Sequence, residues 1–172
     1  MPVLIAMCGL PFAGKSVLAG ALSRELRIRL LSYDFEIYPV YSRRAPAGAS
    51  MAAEYDVVQD IARREIGAIL ASGESLIYDD LLLERDDRRK LAAVAKAHLA
   101  HLVLVYLDTP LSVIDERRAA NSRTRISIPE AKMRLDISLL EPPEEAERAI
   151  YVGPGYVLPE VLARVSARIT GS

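Results

Sequence analysis

The sequence has a single cysteine, Cys8, no tryptophan and only two histidines in 172 residues. One thiol cannot close an internal disulfide, and no zinc-binding spacing exists, so a reducing cytoplasmic setting is expected. Aromatic residues amount to 6%, which supplies few of the stacking platforms that single-stranded nucleic acids need. An excess of one charge is also lacking. The 22 basic and 23 acidic residues leave a net charge of −1, which argues against a chain whose main work is coating nucleic acid or an anionic membrane. The apolar start, Val3–Cys8, is too short to span a bilayer and has no basic segment before it, so neither a membrane span nor a secretion signal is read there. What the chain does have is 51% hydrophobic residues, enough for a sizeable core in one domain over residues 1–172.

Apolar runs alternate with amphipathic stretches. Val3–Cys8 suits a strand buried on both faces. From Lys15 to Leu26 the residues Val17, Leu18, Ala21, Leu22 and Leu26 fall on one helical stripe. Residues 28–32 read as a second strand, and Ala45–Ser50 as a flexible, turn-rich loop. Met51–Ser72 predicts a helix with Val57, Val58, Ile61, Ile69 and Leu70 inward and Gly73 as its stop. Strands follow at Leu76–Tyr78, Leu102–Leu107 and Ile150–Val152, and helices at Arg85–His98, after Thr109-Pro110, at Pro129–Leu140 and at Pro159–Ile169. Thr109 reads as an N-cap with Pro110 at the first helical position. Such alternation predicts an α/β three-layer sandwich, a mainly parallel five-stranded sheet with helices on both faces.

The sharpest local signal is Gly9-Leu10-Pro11-Phe12-Ala13-Gly14-Lys15-Ser16, which matches G-x-x-x-x-G-K-[ST] at every fixed position. Glycines let the backbone wrap closely enough for successive N–H groups to point at phosphate oxygens. Lys15 then reaches the β- and γ-phosphates, the Ser16 hydroxyl can ligate Mg²⁺, and the helix that continues through Val17 presents its positive end. The strand before the loop and the amphipathic helix after it are the context this motif requires. Cys8, at the end of that strand, reads as a small core residue.

In open parallel sheets ligands gather at the carboxyl ends of the strands. The second predicted strand runs into Tyr33-Asp34, the third into Asp79-Asp80 and the fourth into Asp108. Carboxylates beside phosphates are costly unless they face a metal or a hydroxyl proton. Asp34 is the candidate general base, with a helix N-cap as the alternative. Asp79 or Asp80 could hold Mg²⁺ through water or orient an acceptor; Asp79 is nearer the strand and is preferred. Asp108 reads as a turn residue. Arg117, Arg118, Arg123, Arg125 and Arg134 cluster around a polar loop between two helices, so residues of about 117–134 can form a lid whose guanidinium groups meet phosphate. Gly153-Pro154-Gly155 reads as a turn.

With these pieces placed, the chain resembles the small P-loop kinases of the AAA_33-like predicted-kinase group, related to polynucleotide 5′-kinases, zeta toxins and chloramphenicol phosphotransferase. The similar segments are GLPFAGKS, LLSYDFE with Asp34, SLIYDD with Asp79, RRAANSRTRISIP with Arg118 and Arg123, and LLEPPEEAE, which together cover the chain to about Glu147. The resemblance implies ATP as phosphoryl donor with Mg²⁺, transfer to a hydroxyl, Asp34 as the base and Arg123 on the transferred phosphate. Two departures bear on the acceptor. Polynucleotide kinases carry an arginine three residues after the base, where this chain has Ile37, and the Asp-Thr or Asp-Ala-Thr pattern after the third strand is replaced by Asp79-Asp80-Leu81. Nucleic acid is therefore disfavoured, and a polar or phosphorylated small molecule is expected near Asp34, Tyr38, Arg43 and Arg44, with Tyr33, Tyr41 and Tyr55 close by.

Overall fold

The computed structural model describes residues 1–42, 51–121 and 128–171. Five parallel strands, β1 (Val3–Cys8), β2 (Arg29–Ser32), β3 (Leu76–Asp79), β4 (His101–Leu107) and β5 (Ile150–Val152), lie in the order β2-β3-β1-β4-β5. β1 is central and wholly buried, so its unbroken apolar run is what a strand covered on both faces must have. Alternate residues serve opposite layers. Leu4, Ala6 and Cys8 face one core with Tyr78, Leu104 and Tyr106; Val3, Ile5 and Met7 face the other with Ile77, Val103 and Val105.

Helices α3 (Met51–Ala71) and α4 (Arg85–Ala97) cover the first face, and α1 (Lys15–Leu26) and α7 (Leu158–Thr170) the second. The inner stripe of α3 is Val58, Ala62, Ile66, Ile69 and Leu70; Val57 and Ile61 lie half-buried on its flank. Val58, Ile69 and Leu70 face inward as expected, but Ala62, whose small side chain gives little apolar signal, and Ile66 take the places expected of Val57 and Ile61. Likewise α1 packs through Leu18, Ala19 and Leu22, whereas Val17 is 73% exposed. Position 17 sits in the first turn, beside the loop mouth rather than over the sheet. Gly73 does end α3, in a left-handed conformation (φ 86°) with its N–H bonded to Leu70 O.

At the carboxyl edge of the sheet, α5 (Leu111–Asn121) and α6 (Glu130–Leu139) pack through Ile114 and Met133 on Leu10 and Leu83. This third apolar cluster seats the helical pair over the strand ends. The chain leaves β2 through a π-helical turn, Tyr33–Ile37, followed by a short helix α2 (Tyr38–Tyr41). Tyr38, expected near the acceptor, begins that helix. The expected loop at Ala45–Ser50 lies outside the described residues. No helix among the described residues is long and apolar enough to cross a membrane.

Candidate active site

A cleft of about 1050 Å³ opens at the carboxyl edge, where β1 turns into the Gly9–Ser16 loop. Gly9 has φ 136°, and a Cβ there would stand 2.9 Å from Leu107 O. No other residue allows the loop to approach β4 so closely. Its N–H donates to Leu81 O at 2.9 Å, tying the loop to the segment after β3. Gly14, at φ 105°, makes the second reversal that starts α1. The loop's outer carbonyls are engaged. Arg117 Nη1 donates to Phe12 O (3.2 Å) and Ala13 O (2.7 Å), and Thr109 Oγ1 donates to Ala13 O at 3.1 Å. Thr109 therefore spends its hydroxyl on the loop rather than on capping α5. The first N–H groups of α1 have no intrahelical acceptor and sit at the positive end of the helix, the arrangement that receives anions.

Lys15 lies buried across the loop, with Nζ donating to Leu10 O at 2.8 Å. Burial lowers its pKa, and the nearby Asp79 and Asp80 carboxylates oppose this. Asp79 ends β3 on the α1 side of the sheet. Its Oδ1 is buried with no hydrogen-bond partner. Burial raises its pKa, against the Ser16 hydroxyl and the Lys15 charge. Asp80 faces the opposite layer, where Gln59 Nε2 (2.6 Å), Tyr78 OH (3.1 Å) and the Leu81 N–H (2.7 Å) all donate to it. Burial pushes its carboxyl up to about 6 despite those donors. Two adjacent aspartates thus have separate surroundings. Ser16 Oγ and the unpartnered Asp79 Oδ1 are hard oxygen donors beside the phosphate loop, and they fit Mg²⁺, which keeps several waters and takes few protein ligands.

Asp34 stands in the π-helical turn, exposed and lining the cleft, and it caps no helix. Phe35 beside it is 67% exposed and also lines the cleft. Tyr33 and Tyr55 pack ring to ring (centroids 5.8 Å apart), and the buried Tyr33 OH has no partner. Tyr38 donates to Glu54 at 2.7 Å and lies outside the cleft lining. Ile37 is 2% exposed and belongs to the α3-side core.

On α5, adjacent arginines part company. Arg117 grips the phosphate loop and lines the cleft, whereas Arg118 pairs with Glu130 (2.5 Å) and donates to Ile128 O (3.2 Å), joining α5 to α6. Arg123, Arg125, Arg43 and Arg44 lie outside the described residues. Gly153, Pro154 and Tyr156 line the cleft beside Leu107 and Ala120, so the turn after β5 forms part of the wall. Sequence reasoning missed a buried tie behind the site. Arg88, on α4, makes two bonds to Glu147 (2.6 and 3.0 Å) and donates to Leu82 O (3.1 Å) and Leu83 O (2.9 Å), fixing the segment after β3. Charged residues fill the whole run Arg85–Lys90, so nothing in the sequence marks Arg88 as the buried one.

A parallel sheet in this order, a phosphate loop after its central strand and carboxylates at the neighbouring strand ends define the small P-loop kinase fold. The AAA_33 family model, described as an AAA domain, matches residues 4–143, and the chain belongs to that family. Among solved structures it is similar to a gluconokinase from Sinorhizobium meliloti 1021 (24% identity, TM-score 0.70, 99% of this chain and 93% of that one). It is also similar to the Mycobacterium tuberculosis APS kinase CysC in complex with AMPPNP and APS (19%, 0.72, 98% and 98%), and to Chaetomium thermophilum Kti12 in complex with ADP-AlF3 (18%, 0.74, 96% and 98%). No curated protein sequence matches the chain.

Proposed function

We propose that the protein is an ATP-dependent kinase that transfers the γ-phosphoryl group to a hydroxyl of a small molecule, such as a sugar, nucleotide-sugar or antibiotic-like compound. One observation carries this reading: a phosphate loop shares its cleft with two carboxylates in different settings, Asp79 buried beside Ser16 and Lys15, and Asp34 open to the cleft. The loop N–H groups, the start of α1 and Lys15 receive the β- and γ-phosphates. Contact with phosphate supplies the counter-charge that burial denies the Lys15 ammonium. Ser16 Oγ and Asp79 Oδ1 would hold Mg²⁺, which neutralises phosphate charge when bound. Asp34 accepts the proton of the acceptor hydroxyl as that oxygen bonds to the γ-phosphorus and the bond to the bridging oxygen of ADP breaks. Arg117 keeps the loop in shape through its carbonyls, and Arg118 joins the lid helices. Arg123 is assigned to the transferred phosphate on the family resemblance, and Arg43 and Arg44 to the acceptor.

A polynucleotide acceptor is the weaker reading, because the side chain at position 37 is apolar and sealed in the core and offers nothing to a nucleic-acid phosphate. The test is ADP release from Mg·ATP across a panel of hydroxyl compounds, with the wild type and Lys15→Ala side by side. Stimulation by at least one compound, absent in the variant, is expected. ADP release that no hydroxyl compound alters would refute the proposal.

A further inference from the structure

The cleft has a second wall that the phosphoryl-transfer reading leaves unused. Helix α6 places Lys132 and Asp136, one turn apart, on the cleft lining. The two form an ion pair, Lys132 Nζ to Asp136 Oδ1. The Asp136 side chain is only 2% exposed, and its Oδ2 is buried without any hydrogen-bond partner. Burying a carboxylate oxygen unmatched is costly, and native structures seldom keep such an atom without a use for it. The pairing Lys132 side chain is itself 41% exposed, so it shields the carboxylate only in part. Nothing about helix formation requires Asp at this position either, because α6 already packs through Met133 on Leu10 and Leu83.

The same cleft carries Asp80 on its floor. Gln59, Tyr78 and the Leu81 N–H hold that carboxylate at a fixed angle, and a carboxylate accepts about four hydrogen bonds in all, so it retains acceptor capacity. With Asp34, Asp136 and Asp79, four carboxylates line one cavity, and the exposed Phe35 ring lines it too. Carboxylate acceptors suit a ligand that presents several O–H donors, and an aromatic face suits the C–H side of the same ligand.

We infer that Asp136, with Lys132, is a specificity-determining residue for the acceptor, which is a polyhydroxylated compound bound between the lid carboxylate and Asp80. This rests on the kinase reading above and deepens it. Asp136 Oδ2 accepts a hydroxyl that is not the one phosphorylated, and Lys132 donates to a neighbouring oxygen. The buried, unmatched oxygen is then a cost to stability that binding recovers.

The experiment compares wild type, Asp136→Asn and Lys132→Met. ADP release from Mg·ATP is followed with a set of polyols (hexoses, hexitols, aldonates and aminocyclitols) and with a set of monohydroxy alcohols of similar size. Polyols are expected to stimulate the wild type. Asp136→Asn should raise the KM for the stimulating polyol about tenfold, leave the KM for ATP within twofold, and leave Tm unchanged or higher. Lys132→Met should move the polyol KM in the same direction by a smaller factor, which keeps the test open if the Asn variant fails to fold. A lowered Tm with unaltered polyol KM would make the pair purely structural and overturn the inference. Stimulation by the monohydroxy set alone would overturn it and leave the kinase reading intact, whereas stimulation by neither set would overturn both.

Discussion

The two halves of the cleft are built by different means. On the phosphate side the recognition elements are backbone: loop N–H groups, a helix start, and two glycines at φ 136° and 105° whose positions allow no other residue without strain. The surrounding ties hold that backbone still, with Arg117 and Thr109 on its carbonyls and Gly9 N on Leu81 O. On the proposed acceptor side the groups available are side chains, Asp34 in a π-helical turn, Asp80 under three donors and Asp136 on α6. A backbone cradle reads a charge pattern common to every nucleoside triphosphate and tolerates little variation. Side chains on separate elements can change one at a time, so under the proposed function that side is where an acceptor is chosen.

Lys15→Ala strikes the phosphate side hardest. It should reduce nucleotide turnover by on the order of 10²-fold or more, the scale of losing one charged group at a phosphoryl-transfer site, as read by steady-state ADP release. Residual turnover near wild type would show that the loop does not act as the cradle described. Next comes the tie behind both halves. Arg88→Met leaves the half-buried Glu147 without its partner and the Leu82 and Leu83 carbonyls unmet, so stability should fall by about 2 kcal/mol, measured by chemical denaturation. A loss confined to activity, with stability intact, would place Arg88 in the chemistry instead.

The same pair gives a pH signature. Burial pushes the Glu147 carboxyl up, but hydrogen bonds from Arg88 and the Glu144 N–H, with the Arg88 charge, outweigh it and hold the group below its ordinary range. Its folded pKa is depressed, so its stabilisation is complete above the ordinary glutamate value of 4.5 and is lost as the pH falls through the lower folded value. Thermal melts from pH 7 downward should therefore show a wild-type loss below about pH 4.5 that Glu147→Gln does not share. Identical slopes would remove the pair from the acid-sensitive set. The smallest effect belongs to Arg117→Ala. The loop loses one of two clamps while Thr109 remains, so ATP affinity should weaken about tenfold, roughly 1.4 kcal/mol, in a calorimetric titration. An unchanged affinity would show that the glycines alone set the loop.

The same contrast separates what is legible in the sequence from what is not. The sheet and the phosphate loop were legible because their causes are local: six apolar residues in β1, glycines where φ must be positive, and lysine and serine at the helix start. Strand alternation also separates Asp79 from Asp80, since Tyr78 and Asp80 share a face, and that signal was available. Other features depend on contacts distant in sequence. Arg117 and Arg118 differ by a single step around α5, and nothing in their spacing says that one meets Ala13 and the other Glu130. Arg88 meets Glu147 across 59 positions, and Gln59 reaches Asp80 from another helix. Val17 misled because first-turn residues share a stripe with the core while facing the mouth. Asp136 carries no distinguishing sequence signal, because its helix bears charges of both signs.

Under the proposed function, the division of phosphate binding and proton removal between separate groups is what makes this cleft a kinase site. It is tested most directly by measuring, on Asp34→Asn, both the affinity for a non-hydrolysable ATP analogue with Mg²⁺ and single-turnover phosphoryl transfer to the stimulating acceptor. Analogue affinity within twofold of wild type, with transfer reduced by on the order of 10²-fold or more, is the predicted result. Transfer at the wild-type rate, or affinity and transfer falling together, would contradict it.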